Sequence, residues 1–378
     1  MIKGLNLSAI EEALPRAGLS QAKVAKELKV SREAVSKWFK GNAIPTPDKL
    51  LRIGMLLGLP FDQMVLMELP SAVPIVCYRK KAGRKTKDEH YEKARETGEL
   101  LKRLVPLLPD PPLASASVLS EPRLDYAYIQ KASAEVRKEM GLLNKAVIEY
   151  KDLIEKFARL HAVIVPVMWG EKQNHGNALN IHLPDLNVTW VFLNLDSNTV
   201  DFKFWMAHEL GHSLAPKLDG DEGENFADAF AQALLFPQES VAELRPHLLK
   251  CRTVQERITL VKHVAESRLI SPLTIRKALE AFEDDAGLEP TDLGDEPPFM
   301  AVMTNFAKNH KLVSETLFGK NTPDPKKYVS VCEKAFKTQI FAALRVYCRA
   351  NDGTANYIHN VFGLALTDAK ALAEELSV

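Results

Sequence analysis

Apolar residues recur at intervals of three and four along most of this chain, and one central stretch departs from that rhythm. From Leu5 to Glu68 the spacing predicts a bundle of short helices. The first covers about 6–16 and ends at Ala17-Gly18. The second is capped by Ser20 and runs to Leu28 with Val24 and Ala25 inside. The third, Arg32–Phe39, is capped by Ser31 and closed by Gly41, and a fourth over 45–59 completes the core with Leu50, Ile53 and Leu57. Helical spacing continues over about 89–104, 127–141 and 144–160. It then gives way to the β-branched run Ala162–Trp169 and to two further apolar segments, 178–183 and 189–195, expected as strands of a small antiparallel sheet. Helices return in FKFWMAHELGH and in about 223–236, the latter apolar at Phe226, Ala227, Phe230, Ala231, Leu234 and Leu235 and stopped by Pro237. Further helices follow at 238–248, 253–266, 271–282, 328–351 and 358–376. The predicted class is α+β and mostly α.

Proline and charge mark the boundaries. Residues 1–68 form the first unit, and 69–120 read as a connector containing Pro70, Pro74, the basic run RKKAGRKTK and the proline-rich PLLPDPPLASASVLSEP. A second domain is expected over 121–283. The acidic stretch DDAGLEPTDLGDEPP then leads to a helical C-terminal region, 284–378, that carries no motif. Among 378 residues the net charge is zero, with 46% apolar and 26% charged positions, an ordinary globular composition. The opening residues lack the apolar core of a signal peptide and no apolar run approaches a membrane span, so no membrane role is expected. The four cysteines, Cys77, Cys251, Cys332 and Cys348, are widely spaced, which argues against a disulfide framework and fits a reducing cytoplasm. A lone cysteine could cap a metal site as a switch, with Cys77 the least buried-looking candidate, but a free buried thiol is the favoured reading.

Two short helices joined by a tight turn, with a seam of Ala25, Val30 and Val35, make a helix-turn-helix. The second presents Arg32, Glu33, Ser36 and Lys37 on its open face, with Ser31 and Lys40 at its two ends, where side chains enter a DNA major groove. Residues 1–68 hold 10 basic and 7 acidic side chains, a modest excess for a DNA binder, and a protein-interaction bundle is the competing reading. The segment LSQAKVAKEL…VSREAVSKWFKG…LLRIGMLLGLP resembles the Xre-type, phage-repressor-like domain over about 50 residues. That resemblance implies phosphate contact by Gln21 and base reading from the start of the third helix. Phe39 departs from it, since the family usually carries Glu after the Trp.

The most specific chemistry lies in His208-Glu209-Leu210-Gly211-His212. Histidines four apart on a helix share one face, so both imidazoles can grip one divalent metal with Glu209 beside it as general base. A third ligand is offered by Glu224, provided the Lys217–Gly223 turn folds the next helix back, and Asp228 one turn on can hold the outer N–H of a ligand histidine. Zn²⁺ is the expected cofactor. The oxyanion donor is unmarked, with His175, His182 and Tyr126 as candidates. An exposed edge of the 178–195 hairpin is the expected place for an extended substrate to be added to the sheet.

FKFWMAHELGH, ENFADAFAQALLFP and ISPLTIRKALEAF together resemble the ImmA/IrrE metallo-endopeptidases over about 124–275. Asp228 stands for the family's usual Asn and Phe236 for its usual Met; the Asp is more like thermolysin-type enzymes, where that residue orients a ligand histidine. The resemblance implies a zincin-like, gluzincin-type core and a zinc endopeptidase that cleaves a repressor-like or antitoxin-like protein in stress, phage-defence or mobile-element regulation. A homodimer is among the expected assemblies. The alternative is a DNA-binding regulator or antitoxin whose peptidase-like domain senses or binds without cleaving.

Overall fold

In the computed structural model, which describes residues 2–40, 43, 45–67, 73–78, 88–110, 118–142, 146–170, 178–218 and 220–378, the chain folds as two units, 1–72 and 73–378. Serine caps start the two central helices of the first unit. Ser20 Oγ accepts from the Lys23 amide at 3.3 Å, opening Gln21–Leu28, and Ser31 Oγ accepts from the Ala34 amide at 3.1 Å, opening Arg32–Phe39. Between them Lys29 takes a left-handed conformation and the Val30 amide returns to the Ala25 carbonyl at 3.0 Å. That turn drives Val24, Ala25, Leu28, Val35 and Phe39 into one core with Leu50, Ile53 and Leu57 of the helix Pro47–Leu57. Phe39 is buried there, so the apolar residue at this position serves packing. The helical pattern did not anticipate a two-stranded antiparallel ribbon, β1 (Ile2–Leu5) with β2 (Val65–Met67); strands this short carry no readable period.

The second unit is mostly helical around a four-stranded sheet. Strand β3 is Ile75–Tyr78, β4 is Ala162–Val167, β5 is Ala178–Leu183 and β6 is Val188–Asn194. Their order is β3-β5-β6-β4. The sheet is mixed, which corrects the expectation of a small antiparallel one: β5 pairs antiparallel with β3 and β6, but β4 runs parallel to β6 from Ala162↔Thr189 to Val167↔Asn194. Consecutive strands β4 and β5 are not neighbours, because β6 inserts between them, and no local pattern encodes that insertion. Every residue of β4 and β6 is buried, the mark of a sheet covered on both faces.

Two segments expected outside the second domain belong to this unit. The expected connector 69–120 supplies the edge strand β3 and the helix Asp88–Leu101, whereas its basic run lies outside the described residues. The C-terminal region shares the same apolar core. The Thr338 hydroxyl donates to the Ile164 carbonyl at 2.5 Å, Trp169 Nε1 to the Phe362 carbonyl at 2.8 Å, and the Ser314 amide to the Leu195 carbonyl at 2.7 Å. The acidic stretch expected as a linker is a loop held to the body, with the Thr291 amide donating to Glu283 Oε2 at 3.0 Å. The two long C-terminal helices expected over 328–351 and 358–376 are each broken, at Lys337 and Gly363, where the backbone turns left-handed. Among the described residues no helix is long and apolar enough to cross a membrane.

The helix Thr199–Leu214 carries the HELGH sequence, and Gly220–Leu235 lies against it. The second helix starts three residues earlier than expected, so the reversal between them is tighter. Asn198 caps the first through the Asp201 amide at 2.9 Å. The two backbones approach most closely where a Cβ added at Gly211 would stand 2.9 Å from Ala227 Cα. Replacing Gly211 by Val is expected to cost about 1–3 kcal/mol through overpacking, read as a lower midpoint in denaturant unfolding; an unchanged midpoint would show that the helices can slide apart freely.

Candidate metal centre

The close approach at Gly211 places Glu224, on the acidic helix, opposite the two histidines. His208 Nε2 and His212 Nε2 are 3.1 Å apart, Glu224 Oε2 is 3.5 Å from His208 Nε2, and Glu224 Oε1 is 3.3 Å from His212 Nε2. Four tetrahedral bonds of ~2.0–2.1 Å around zinc hold their donors about 3.3 Å apart, so two nitrogens and a carboxylate at these separations fit that ion. Among the described residues, these three side chains form the group of histidines and carboxylates able to hold a metal. Asp228 Oδ1 meets His208 Nδ1 at 2.8 Å, fixing the ring with Nε2 toward Glu224. The Phe204 and Trp205 rings border His208 on its own helix.

Glu209 lies between the histidines in sequence and is sealed from solvent, with 1% of its surface exposed. Its Oε2 has no hydrogen-bond partner. Asn180 of β5 fixes the root of this residue: its amide donates at 3.3 Å to the Glu209 carbonyl and at 3.3 Å to Ser213 Oγ, while Ser213 Oγ donates to the same carbonyl at 2.8 Å. Asn180 was not anticipated from sequence; its signal is a buried amide in a mostly apolar strand.

Charge at the centre follows from burial and neighbours. Burial pushes the Glu209 carboxyl up, and the two imidazoles only partly offset it. Burial alone would raise Glu224 as well, but hydrogen bonds to both histidines hold it well below the usual carboxylate range. For His208, burial opposes the charged form and is outweighed by hydrogen bonds to Asp228 and Glu224, so its affinity for a proton rises. His212 is raised further, again against burial, with Cys77 and Glu224 as the largest favourable neighbours. The carboxylates thus demand positive charge between two imidazoles in a dry pocket. A divalent cation meets that demand without protons on the facing nitrogens.

Two of the expected oxyanion donors, Tyr126 and His182, have their interactions elsewhere. Tyr126 lies near Asp285 and Glu239; burial, then those two carboxylates, push its hydroxyl up to about 12. His182, on β5, shares a 3.0 Å hydrogen bond with Thr189 Oγ1, and burial holds its imidazole neutral by pushing it down to about 4. His175 falls outside the described residues.

In the first unit Ser31, Arg32, Glu33, Lys37 and Lys40 are exposed along one side of the third helix, while Gln21 and Ser36 are half-buried beside them. Val35 and Phe39 face inward, so the helix turns its charged side chains to solvent. A helix-turn-helix family model matches residues 10–64. The first unit is therefore a helix-turn-helix, a DNA-binding fold, and a role of the regulator type follows from it. Neither a curated protein nor a solved structure is significantly similar to the chain.

Asp228 touches His208, one of the three candidate donors, at 2.8 Å. Asp228→Ala is expected to weaken zinc affinity about 10–100-fold while leaving one site per chain. Competition with a chromogenic chelator measures this; an affinity equal to the parent's would remove Asp228 from the centre.

Proposed function

We propose that residues 73–378 are a zinc-dependent endopeptidase of the ImmA/IrrE kind, with a zincin-like core, carried on a DNA-binding helix-turn-helix unit. The observation that carries this reading is Glu209: a buried carboxylate with an unpartnered oxygen, adjoining a three-donor set of two imidazoles and one carboxylate. A metal site kept for folding alone closes with a fourth protein ligand and has no use for such a carboxylate. His208, His212 and Glu224 would hold the ion. Zn²⁺ supplies Lewis acidity when bound, polarising a peptide carbonyl and lowering the pKa of water to about 7.

The chain's own residues then divide the work. Glu209, whose carboxyl is made a stronger proton acceptor by burial, takes a proton from the attacking water and delivers it to the leaving nitrogen. Asn180 and Ser213 fix the Glu209 backbone and so limit where its carboxylate can reach. Asp228 holds His208 in one tautomer. The substrate class we propose is a repressor-like or antitoxin-like protein. A DNA-bound protease would meet a DNA-bound repressor at raised local concentration.

The helix-turn-helix match favours a second reading, in which the chain is a DNA-binding regulator and the buried metal centre senses rather than cuts. Glu209→Gln separates the two. The variant is expected to keep one zinc per chain and to lose cleavage about 10²–10⁴-fold. Cleavage at the parent rate would end Glu209's role as base, and intact protein partners with the zinc-loaded parent would favour the sensor.

The DNA-binding surface has its own test. Arg32→Ala and Lys37→Ala should each weaken binding to promoter DNA and, where the side chain meets phosphate, reduce the salt slope by about 1, as read by fluorescence anisotropy over a salt series. Unchanged affinity and slope in both would leave the third helix out of the interface.

A further inference from the structure

The edge of the sheet nearest the metal helices is not free. Strand β3 occupies it, pairing antiparallel with β5 from Ile75↔His182 to Tyr78↔Leu179. In such a pair, directly opposed residues point to the same face, and Cys77 is opposed to Asn180. Asn180 reaches Glu209 and Ser213, so this face looks onto the HELGH helix, and the Cys77 thiol does too. It is buried, 3.9 Å from the Leu218 carbonyl in the reversal between the two metal helices, and near enough to His212 to act on its imidazole.

On the opposite face, the seat of β3 depends on one missing side chain. A Cβ at Gly98 would lie 2.7 and 2.8 Å from the ring carbons of Pro74, the residue just before β3, and 3.0 Å from Ile181. Inside the pocket, His208, Glu209 and His212 are all sealed, and the unpartnered Glu209 oxygen has no contact with solvent. A four-residue strand held by one neighbour thus lies where an extended peptide would add to the sheet, and the carboxylate that such a peptide must meet is closed off.

We propose that β3 is a built-in occupant of the peptide-binding edge, with Cys77 lodged against the ligand His212, so that the resting chain is closed and turnover requires β3 to leave. This rests on the hydrolase reading for its consequence, whereas the zinc-transfer arm of its test does not. Gly98→Val should push Pro74 out and unseat β3 from a position remote from the metal. Zinc-loaded full-length parent, Gly98→Val and Cys77→Ala are compared in two assays: transfer of zinc to a chromogenic chelator, and cleavage of dye-quenched casein. Hydrogen exchange at β3 and β6 confirms that only β3 has loosened.

Zinc transfer and casein cleavage are both expected to rise about ten-fold or more in Gly98→Val, as expected for a locally opened segment. Cys77→Ala, which adds no bulk, should change both in the same direction and carries the comparison if the Gly98→Val chain does not fold. Parent-like rates in variants whose β3 amides exchange freely would overturn the proposal. Faster zinc transfer with casein intact throughout would uphold β3 as the cover of the metal centre and overturn its role in admitting casein, while the hydrolase reading stands or falls on cleavage of the protein partner.

Discussion

The second unit depends on the contact of two helices that meet without a side chain between them. Only glycine at 211 lets Thr199–Leu214 come near enough to Gly220–Leu235 for a carboxylate of modest length to reach both imidazoles. Close packing elsewhere serves that contact. Phe226 and Phe230 stack on the acidic helix, and Phe202 and Met206 anchor the other within the common core. A gap of even a methyl group here would pull Glu224 away from the two imidazoles, so sterics at residue 211 and the donor set at residue 224 are one constraint.

Such a centre is costly to keep. Two imidazoles and two carboxyl groups are withdrawn from water, and the Glu209 carboxylate gains too little in return to offset its desolvation. A chain selected for stability alone would fill this pocket with apolar residues. The Asp228 and Asn180 contacts spend further polar groups on orienting His208 and the Glu209 backbone.

Much of this was legible before any coordinates. The i, i+4 histidines, Glu224 and Asp228 were found from helical spacing, because a helix converts sequence distance into spatial distance by a fixed rule. The helix-turn-helix was found from serine caps and a buried seam, both local signals. Strand order was not readable: β6 lies between β4 and β5 through pairings that no short window contains. Nor was the membership of β3, since Ile75–Tyr78 lies among prolines and lysines whose composition speaks of a linker. Asn180 and the loop at Thr291 are likewise placed by partners distant in sequence.

The hydrogen bonds from Ser314, Thr338 and Tyr328 into the sheet have a consequence for how this chain can be divided. Strand β4 lies at one margin of the sheet, and the helices beyond residue 324 share with the helix Tyr150–Arg159 the task of covering it. Cutting the chain after the motif-bearing region would strip part of the cover from β4 and leave a more exposed sheet margin, an invitation to aggregate. The tail without motifs is thus structural masonry: the smallest fragment able to present the histidine pair intact extends to the C-terminal helices.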